Sequence, residues 1–503
     1  MGDTNKRGER LSLLILAAVF IYTAIRAFIL SISHDEALTF LIHAQGSLGD
    51  IFSYRLPYQI NNHLLHTLLV KLCLNIFGVS EPVMRIPALA GHILYLVGVY
   101  LILKRISGKG IVVAGALLLS TNPYLLDYFS CARGYGLGLG FTVLGLYFFI
   151  RHFENITETS AGRDAFAGSM LLALAALSNL TYLNVYATLA GLMILSDVLS
   201  LWEQNRNGAL KEKPLKILSM RSLLPLAPSI MLLAILYTRP ILLLRRVDQL
   251  CYGGSNGLWL NTIPSLVEST QYGKAYGGLD LILWGRRTVA ILLLSACIMI
   301  GTKFIMRNIK RHNDRILLYF WGVLIFSGLC ITMQHILFKT LFVIHRTAIY
   351  FIPLFYFFII AFWTSARETA KPFFRRSADV IFSFIVLVLL LHFINCANLH
   401  YFSDWKYDAG TKKMMQHLKT DIEQRGGGNG SFSIGNTWLF EPSINFYRWH
   451  YRMGSMKPAI RESLNAGHDY YYLHDTDRAL VGKYNLTIMA TDYFSQSILA
   501  KSQ

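Results

Sequence analysis

Charge is scarce in this sequence. Only 15% of its 503 residues are Asp, Glu, Lys or Arg, against 54% hydrophobic and a mean hydropathy of +0.42. That shortage excludes an ordinary soluble protein, because apolar runs long enough to cross a bilayer recur along the chain. Cysteine is sparse too: Cys73, Cys131, Cys251, Cys297, Cys330 and Cys396 form no close-spaced pairs, and several lie in apolar runs. Neither a zinc module nor a disulfide framework is implied. The chain lacks a phosphate-loop signature and a dinucleotide fingerprint, which argues against a nucleotide-driven pump or direct use of a nucleotide sugar. It shows no internal repeat. The first apolar run, preceded by Lys6, Arg7 and Arg10, has no clear small-residue cleavage site and reads as an uncleaved first span.

Acidic residues are outnumbered, 29 against 47 Lys and Arg, for a formal charge of +18. No nucleic-acid partner is expected, because the basic residues sit in short clusters between apolar runs, as topology signals and anionic headgroups of membrane lipids require. The runs lie near 11–32, 86–103, 111–126, 135–150, 164–178, 183–201, 222–238, 288–306, 316–334, 345–364 and 379–397. The expected fold is a polytopic α-helical membrane protein with about eleven transmembrane helices. Lys211, Lys213, Lys216 and Arg221, then Lys303, Lys310, Arg311 and Arg315, then Arg367, Lys371, Arg375 and Arg376 all fall on one side if the N-terminus is cytoplasmic. This predicts a multi-pass cytoplasmic-membrane protein with its N-terminus inside and its tail extracytoplasmic.

Two domains are expected, a membrane domain over 1–397 and an extracytoplasmic one over 398–503. Within the first, the outer loop 33–85 carries Leu64, Leu65, Leu68, Leu69, Leu72 and Phe77 at helical spacing, which predicts a helix lying on the membrane surface. Gly78 ends it, and Glu81-Pro82 opens the next span. In the tail, Gly426-Gly427-Gly428 marks a turn, Ser431 to Ile434 and Tyr470 to Leu473 read as strands, and Pro442 to Met453 reads as a helix. The composition predicts a small α/β domain.

The chemistry-bearing residues fall on the expected outer side. His34-Asp35-Glu36 follows the first span, where adjacent carboxylates are costly and need a reason. Neighbours on a regular backbone point different ways, so the two acids are not a carboxylate dyad. Asp35 is the candidate general base, with Glu36 orienting it or holding a cation. The alternative is helix capping at a membrane boundary. Asp127 and Arg133 lie on the next outer corner, with Gly134 and Gly136 beside them. Arg133 has a donor fork suited to phosphate, and the glycines allow close backbone approach. A structural Asp127 to Arg133 pair is the alternative. His345-Arg346 opens the tenth run, where Arg346 either meets a lipid phosphate or snorkels to headgroups. Arg245 and Arg246 invite the same two readings. His63 is placed to bond the substrate or Asp35. His34, His63, His66 and Glu36 are drawn as divalent-metal ligands only weakly, since their spacing matches no strong ligand motif.

Asp35-Glu36-Ala37, Asn62-His63-Leu64-Leu65, Phe77-Gly78-Val79-Ser80-Glu81 and Arg85-Ile86-Pro87 together resemble the dolichyl-phosphate-mannose-protein mannosyltransferase superfamily, within it the bacterial branch of lipopolysaccharide-core and lipid A sugar transferases. The resemblance covers roughly 10–200, where Leu126-Asp127 to Arg133-Gly134-Tyr135 and Leu180-Thr181-Tyr182 also fit; beyond that it is topology plus the stretch from Arg346 to Pro353. It implies the GT-C membrane fold, a polyprenyl-phosphate sugar donor and inverting transfer with Asp35 as catalytic base. It further implies Glu36 as the neighbour of that base, Asp127 as a second acid near the acceptor, and Arg133 and Arg346 as donor-phosphate contacts, to which His63 and His345 are added. One departure is that His63-Leu64-Leu65 stands where members often have His-Pro-Pro.

The function expected from the sequence is transfer of a sugar from a polyprenyl-phosphate donor to a hydroxyl or amine of a glycan, lipid or protein acceptor at the outer membrane face. A lipid-linked oligosaccharide ligase or polymerase is the runner-up. A transporter without chemistry is disfavoured, because transporters place charge at mid-membrane whereas here it clusters at one face.

Overall fold

The computed structural model of the chain describes residues 2–106, 111–156, 158, 160–208, 213–305, 311–425, 431–461 and 464–503. Lys211, Lys310 and Gly426 to Gly428, all used above, lie outside the described residues. The protein is a multi-pass membrane protein. Among the described residues nine helices are long and apolar enough to cross a membrane: Lys6–Ile29, Glu81–Arg105, Gly134–Glu154, Leu180–Arg206, Pro214–Arg246, Gly278–Ile305, His312–Phe338, Phe351–Glu368 and Pro372–Cys396. The pair Ile111–Ser120 and Pro123–Ser130, bent by 65° at its break, makes ten if it is one span.

These counts differ from the eleven runs, for identifiable reasons. The run at 111–126 breaks because Pro123 has no N–H to give the preceding turn and disfavours helical geometry at Asn122. The Asn122 side chain instead accepts from the Leu125 N–H at 3.1 Å and restarts the helix. The run at 164–178 is a helix, Ala161–Ser178, but Arg163 and Asp164 sit in its first turn and it is not among the nine. It packs between Gly134–Glu154 and Leu224–Arg246. The run expected from 345 begins later: 345–348 form a 3₁₀ turn, and the helix proper starts at Phe351.

The chain divides into two compact units. The first comprises Met1–Tyr22, Ala90–Phe129 and Gly134–Ala397, and holds most of the spanning helices. Two of these meet backbone to backbone: a Cβ on Gly140 would lie 2.1 Å from the Gly91 carbonyl oxygen, and one on Gly91 would lie 2.5 Å from the Leu137 Cα. Glycine is required at that crossing, because nothing in the facing main chain can yield.

The second unit comprises Thr23–Leu89, Ser130–Arg133 and Asn398–Gln503, so the first outer loop and the tail share one body. Its core is continuous: Ile32, Ala37 and Phe40 of the loop and Val70 and Leu74 of the surface helix pack with Met414, Leu418, Phe440, Ile444, Tyr447 and Tyr472 of the tail. The surface helix is Leu64–Phe77, ended by Gly78 at φ +81° as the sequence predicts. It buries Leu64, Val70 and Leu74 and leaves Leu72, Ile76 and Phe77 exposed, an apolar face suited to a membrane surface.

The tail folds as helix Thr411–Gln424, helix Glu441–His450 and a four-stranded sheet in the order β1-β2-β4-β3. Strand β1 (Ile434–Asn436) pairs in parallel with β2 (Tyr470–Leu473). Strand β4 (Ile498–Lys501) runs antiparallel to both β2 and β3 (Thr487–Thr491). Strand β2 coincides with the expected one and is buried throughout, whereas β1 starts only where the expected strand ends. Strands β3 and β4 carry no signal in the sequence reading above.

Candidate functional site

The acidic stretch forms one short helix, His34–Leu38, and its start is fixed locally. Ser33 accepts from the Glu36 N–H while the Glu36 carboxylate accepts from the Ser33 N–H at 2.9 Å, a reciprocal capping box. Acids in a first turn also meet the positive end of the helix dipole. The Ser33-x-x-Glu36 spacing is the signal for this box in the sequence.

From that turn the two carboxylates diverge, and they do different things. Glu36 is fully buried against Arg85, with Nε to Oε1 and Nη2 to Oε2 both at 2.8 Å. Arg85 spends its remaining donors on the carbonyls of Ala27, Leu30 and Ser31 at 2.9 to 3.0 Å, so all five N–H groups are bonded. Glu36 Oε1 also accepts from the Ala132 N–H at 2.5 Å. One carboxylate thereby ties the helix, Arg85 and the segment Ser130–Arg133 together. Glu36 has no spare oxygen for a substrate or a cation, which differs from its expected place in the catalytic set. With its oxygens so engaged, Glu36 is not placed to join His34, His63 and His66 around a metal. Among the described residues no three His, Cys, Asp or Glu side chains come together as a ligand set.

Asp35 keeps an accessible edge, its side chain being 14% exposed. Its Oδ2 lies 3.4 Å from Nη2 of Arg133, and its backbone carbonyl accepts from Thr39 Oγ1 at 3.0 Å and Asn61 Nδ2 at 3.3 Å. Arg133 is almost wholly buried, yet among the described residues no acceptor meets its Nε or Nη1. A buried guanidinium with unmatched donors is costly, and an anion would satisfy it. The sequence anticipated a fork for Arg133 but assigned it Asp127 as its structural alternative; the carboxylate at Arg133 here is Asp35.

The imidazoles near Arg133 are neutral. His66 is fully buried, and its pKa is lowered to about 3 by that burial and then by the Arg133 charge. His43 is held down to about 4 by the same two causes in the same order. Both imidazoles are uncharged at pH 7, so they add no positive charge beside the arginine. His63 directly precedes the surface helix, with its carbonyl accepting from the Thr67 N–H at 2.7 Å. Neither His43, Asn61 nor Arg85's bond to Glu36 was singled out from the sequence, since each depends on the tertiary fold.

The tail presses on the acidic helix directly. Asp408 Oδ2 accepts from the His34 N–H at 2.7 Å, and His34 Nδ1 donates to the Leu439 carbonyl at 2.7 Å. The Ile32 N–H donates to the Tyr447 hydroxyl at 2.9 Å, which in turn donates to Glu81. Burial pushes the Asp408 carboxyl up to about 8, against the opposing bonds from His34 and Thr411.

The other predicted residues belong to the first unit. Asp127 is buried in Pro123–Ser130 and accepts from the Tyr272 hydroxyl at 2.8 Å. A Cβ on Gly136 would lie 2.2 Å from the Tyr128 carbonyl oxygen, so this glycine serves the corner between two helices, a use the sequence reading did not assign to it. His345 adopts φ +45°, its N–H donating to Ser265 Oγ at 2.9 Å and its Nδ1 lying 3.1 Å from Ser269 Oγ. A left-handed histidine is strained and persists only because its surroundings fix it. The Arg346 guanidinium lies 5.2 Å from the centroid of the Tyr252 ring. Gly254 and Phe342 exchange backbone bonds at 2.8 and 2.9 Å, pinning the Tyr252 loop to the strand-like entry of this turn.

No curated protein matches the chain. Among solved structures it is similar to ArnT from Cupriavidus metallidurans bound to undecaprenyl phosphate, at 12% identity over 97% of each chain with a TM-score of 0.42, and to the same protein in its apo state with a TM-score of 0.44. It is also similar to the oligosaccharyltransferase AglB from Archaeoglobus fulgidus in complex with an inhibitory peptide and a dolichol-phosphate, at 11% identity over 98% of this chain and 74% of that one, TM-score 0.44. Residues 62–231 match the family model of the dolichyl-phosphate-mannose-protein mannosyltransferases.

Proposed function

We propose that the chain is an inverting glycosyltransferase that moves a sugar from a polyprenyl-phosphate donor to a hydroxyl or amine acceptor at the outer face of the cytoplasmic membrane. The observation that carries this reading is the pair Asp35 and Arg133: an accessible carboxylate beside a buried guanidinium with unmatched Nε and Nη1 donors. The family match over 62–231 supports the class of chemistry.

In the reaction Asp35 takes the proton from the acceptor hydroxyl as its oxygen bonds the anomeric carbon. The bond from that carbon to the phosphate oxygen breaks, and its electron pair leaves with the phosphate. A phosphate leaving group needs no acid, only cations for its second negative charge. Arg133 is the first of these, with Arg346 and the strained His345 turn as a second candidate contact. Asp127 is assigned to the acceptor, His63 to the donor side. Glu36 and Arg85 are positioning residues that hold the base and the Arg133 segment in one frame.

The test is Asp35→Asn in purified protein, with a polyprenyl-phosphate sugar and membrane glycolipid acceptors. Transfer is expected to be abolished while thermal unfolding stays unchanged; full activity in this variant would overturn the assignment. Accumulation of a lipid-linked monosaccharide in cells lacking the protein favours the transferase, whereas accumulation of a lipid-linked oligosaccharide favours a ligase.

A further inference from the structure

Trp438 is a large aromatic left on the surface of a turn whose other ring is deeply buried. In the 3₁₀ turn Trp438–Phe440, Phe440 is wholly buried against Tyr472 at 4.2 Å, while Trp438 stays 48% exposed. Core packing explains Phe440 and leaves Trp438 without a reason. Its neighbours are specific. Arg461 lies 4.8 Å from the Trp438 ring centroid and 5.8 Å from that of Tyr58, and donates from Nη1 to the Tyr58 hydroxyl at 2.8 Å. Tyr58 is 39% exposed and adopts φ +54°, a conformation that disfavours side chains and so is held for a purpose or by force.

Both rings are tied to the proposed base. Trp438 meets the His34 ring edge-on at 6.1 Å, and the next residue, Leu439, bonds His34, which precedes Asp35. Tyr58 opens the turn Gln59–Asn61, and Asn61 donates to the Asp35 carbonyl. An exposed Trp, an exposed Tyr and a planar guanidinium therefore adjoin the short helix that carries Asp35, through His34 and through Asn61. Exposed ring faces beside a donor fork suit a pyranose, whose C–H face packs on an aromatic while its hydroxyls take hydrogen bonds.

We propose that Trp438, Tyr58 and Arg461 form a saccharide-binding platform, and that it receives the glycan portion of the acceptor. This rests on the transferase reading for the word acceptor, but not for the binding itself. The site commits the acceptor to a glycan, as against a bare lipid or an unglycosylated peptide.

The test is equilibrium binding to the full-length protein in nanodiscs, followed by tryptophan fluorescence with the signal of Trp438 isolated by difference against Trp438→Phe. The probes are trisaccharides of glucose, galactose, mannose and N-acetylglucosamine, with glycerol as a polyol that has no ring face. Saturable change with at least one trisaccharide and none with glycerol is expected. Calorimetry on the variants is expected to give an about tenfold weaker Kd for Trp438→Ala and for Arg461→Lys, with Trp438→Phe close to the parent. Thermal unfolding of each variant separates lost binding from lost folding. No saturable binding with any trisaccharide, or unchanged affinity in a folded Trp438→Ala, overturns the proposal. So does quenching of Trp438 by brominated lipid in the absence of saccharide, which makes the ring a membrane anchor. Binding is measured without donor, so a saccharide that binds Asp35→Asn normally upholds the platform even if the transferase reading fails.

Discussion

Asp408 holds the N–H of His34 at 2.7 Å, one residue before the proposed base, from inside a site where its carboxyl is pushed up to about 8. At neutral pH this carboxyl is largely protonated in the folded protein. The unfolded chain releases that proton near 3.8. The unfolded state therefore binds fewer protons, and stability falls as pH rises from about 4 to about 8. His43 and His66, held down to about 4 and 3, act the other way: their contribution is complete above 6.5 and is lost as pH falls below it. Between pH 6.5 and 8.5 the slope belongs to Asp408 among these three. A falling melting temperature is expected over that interval, flattened in Asp408→Asn, which keeps an acceptor for His34 and never ionises. An unchanged slope in that variant would show that another group titrates.

The Glu36 and Arg85 pair predicts a different signature. Glu36→Gln leaves a buried guanidinium without its counter-charge, and an about 3 to 5 kcal/mol loss of stability is expected. The double variant Glu36→Gln with Arg85→Met removes the stranded charge and should recover part of that loss. Denaturant or thermal unfolding of the single and double variants measures the coupling. Additive losses would mean that the two side chains do not act as a unit.

Arg133 should separate charge from geometry. Arg133→Gln removes the cation and is expected to lower kcat/KM for a polyprenyl-phosphate sugar by about 100-fold or more. Arg133→Lys keeps the charge but not the fork, and a smaller loss, about tenfold, is expected. Steady-state kinetics on both variants decide. Equal effects would point to packing, since Lys would then be no better than Gln.

What could be read in the sequence was what local chemistry determines. The surface helix ends at Gly78 because only its left-handed φ suits the stop, and the apolar stripe before it has helical spacing. The two acids were expected to point apart, and they do. The split of their roles was not legible, because it depends on Arg85 reaching Glu36 across 49 positions and on Arg133 reaching Asp35. Strand β3 is largely exposed, so no run of apolar side chains marks it in the sequence. The bend at Pro123 was written in the sequence, but a single long apolar run masked it.

The bond between Asp408 and His34 joins positions 374 residues apart. At about 5 to 20 residues per second, the ribosome delivers that carboxyl roughly 20 to 75 seconds after the helix it will hold. At first the nascent acidic turn has only its own capping box to keep it helical; Arg85 and Ala132 reach Glu36 as they emerge, still well ahead of Asp408. Ser33 and Glu36 thus form a provisional clamp, in place long before the tail arrives to make the arrangement permanent.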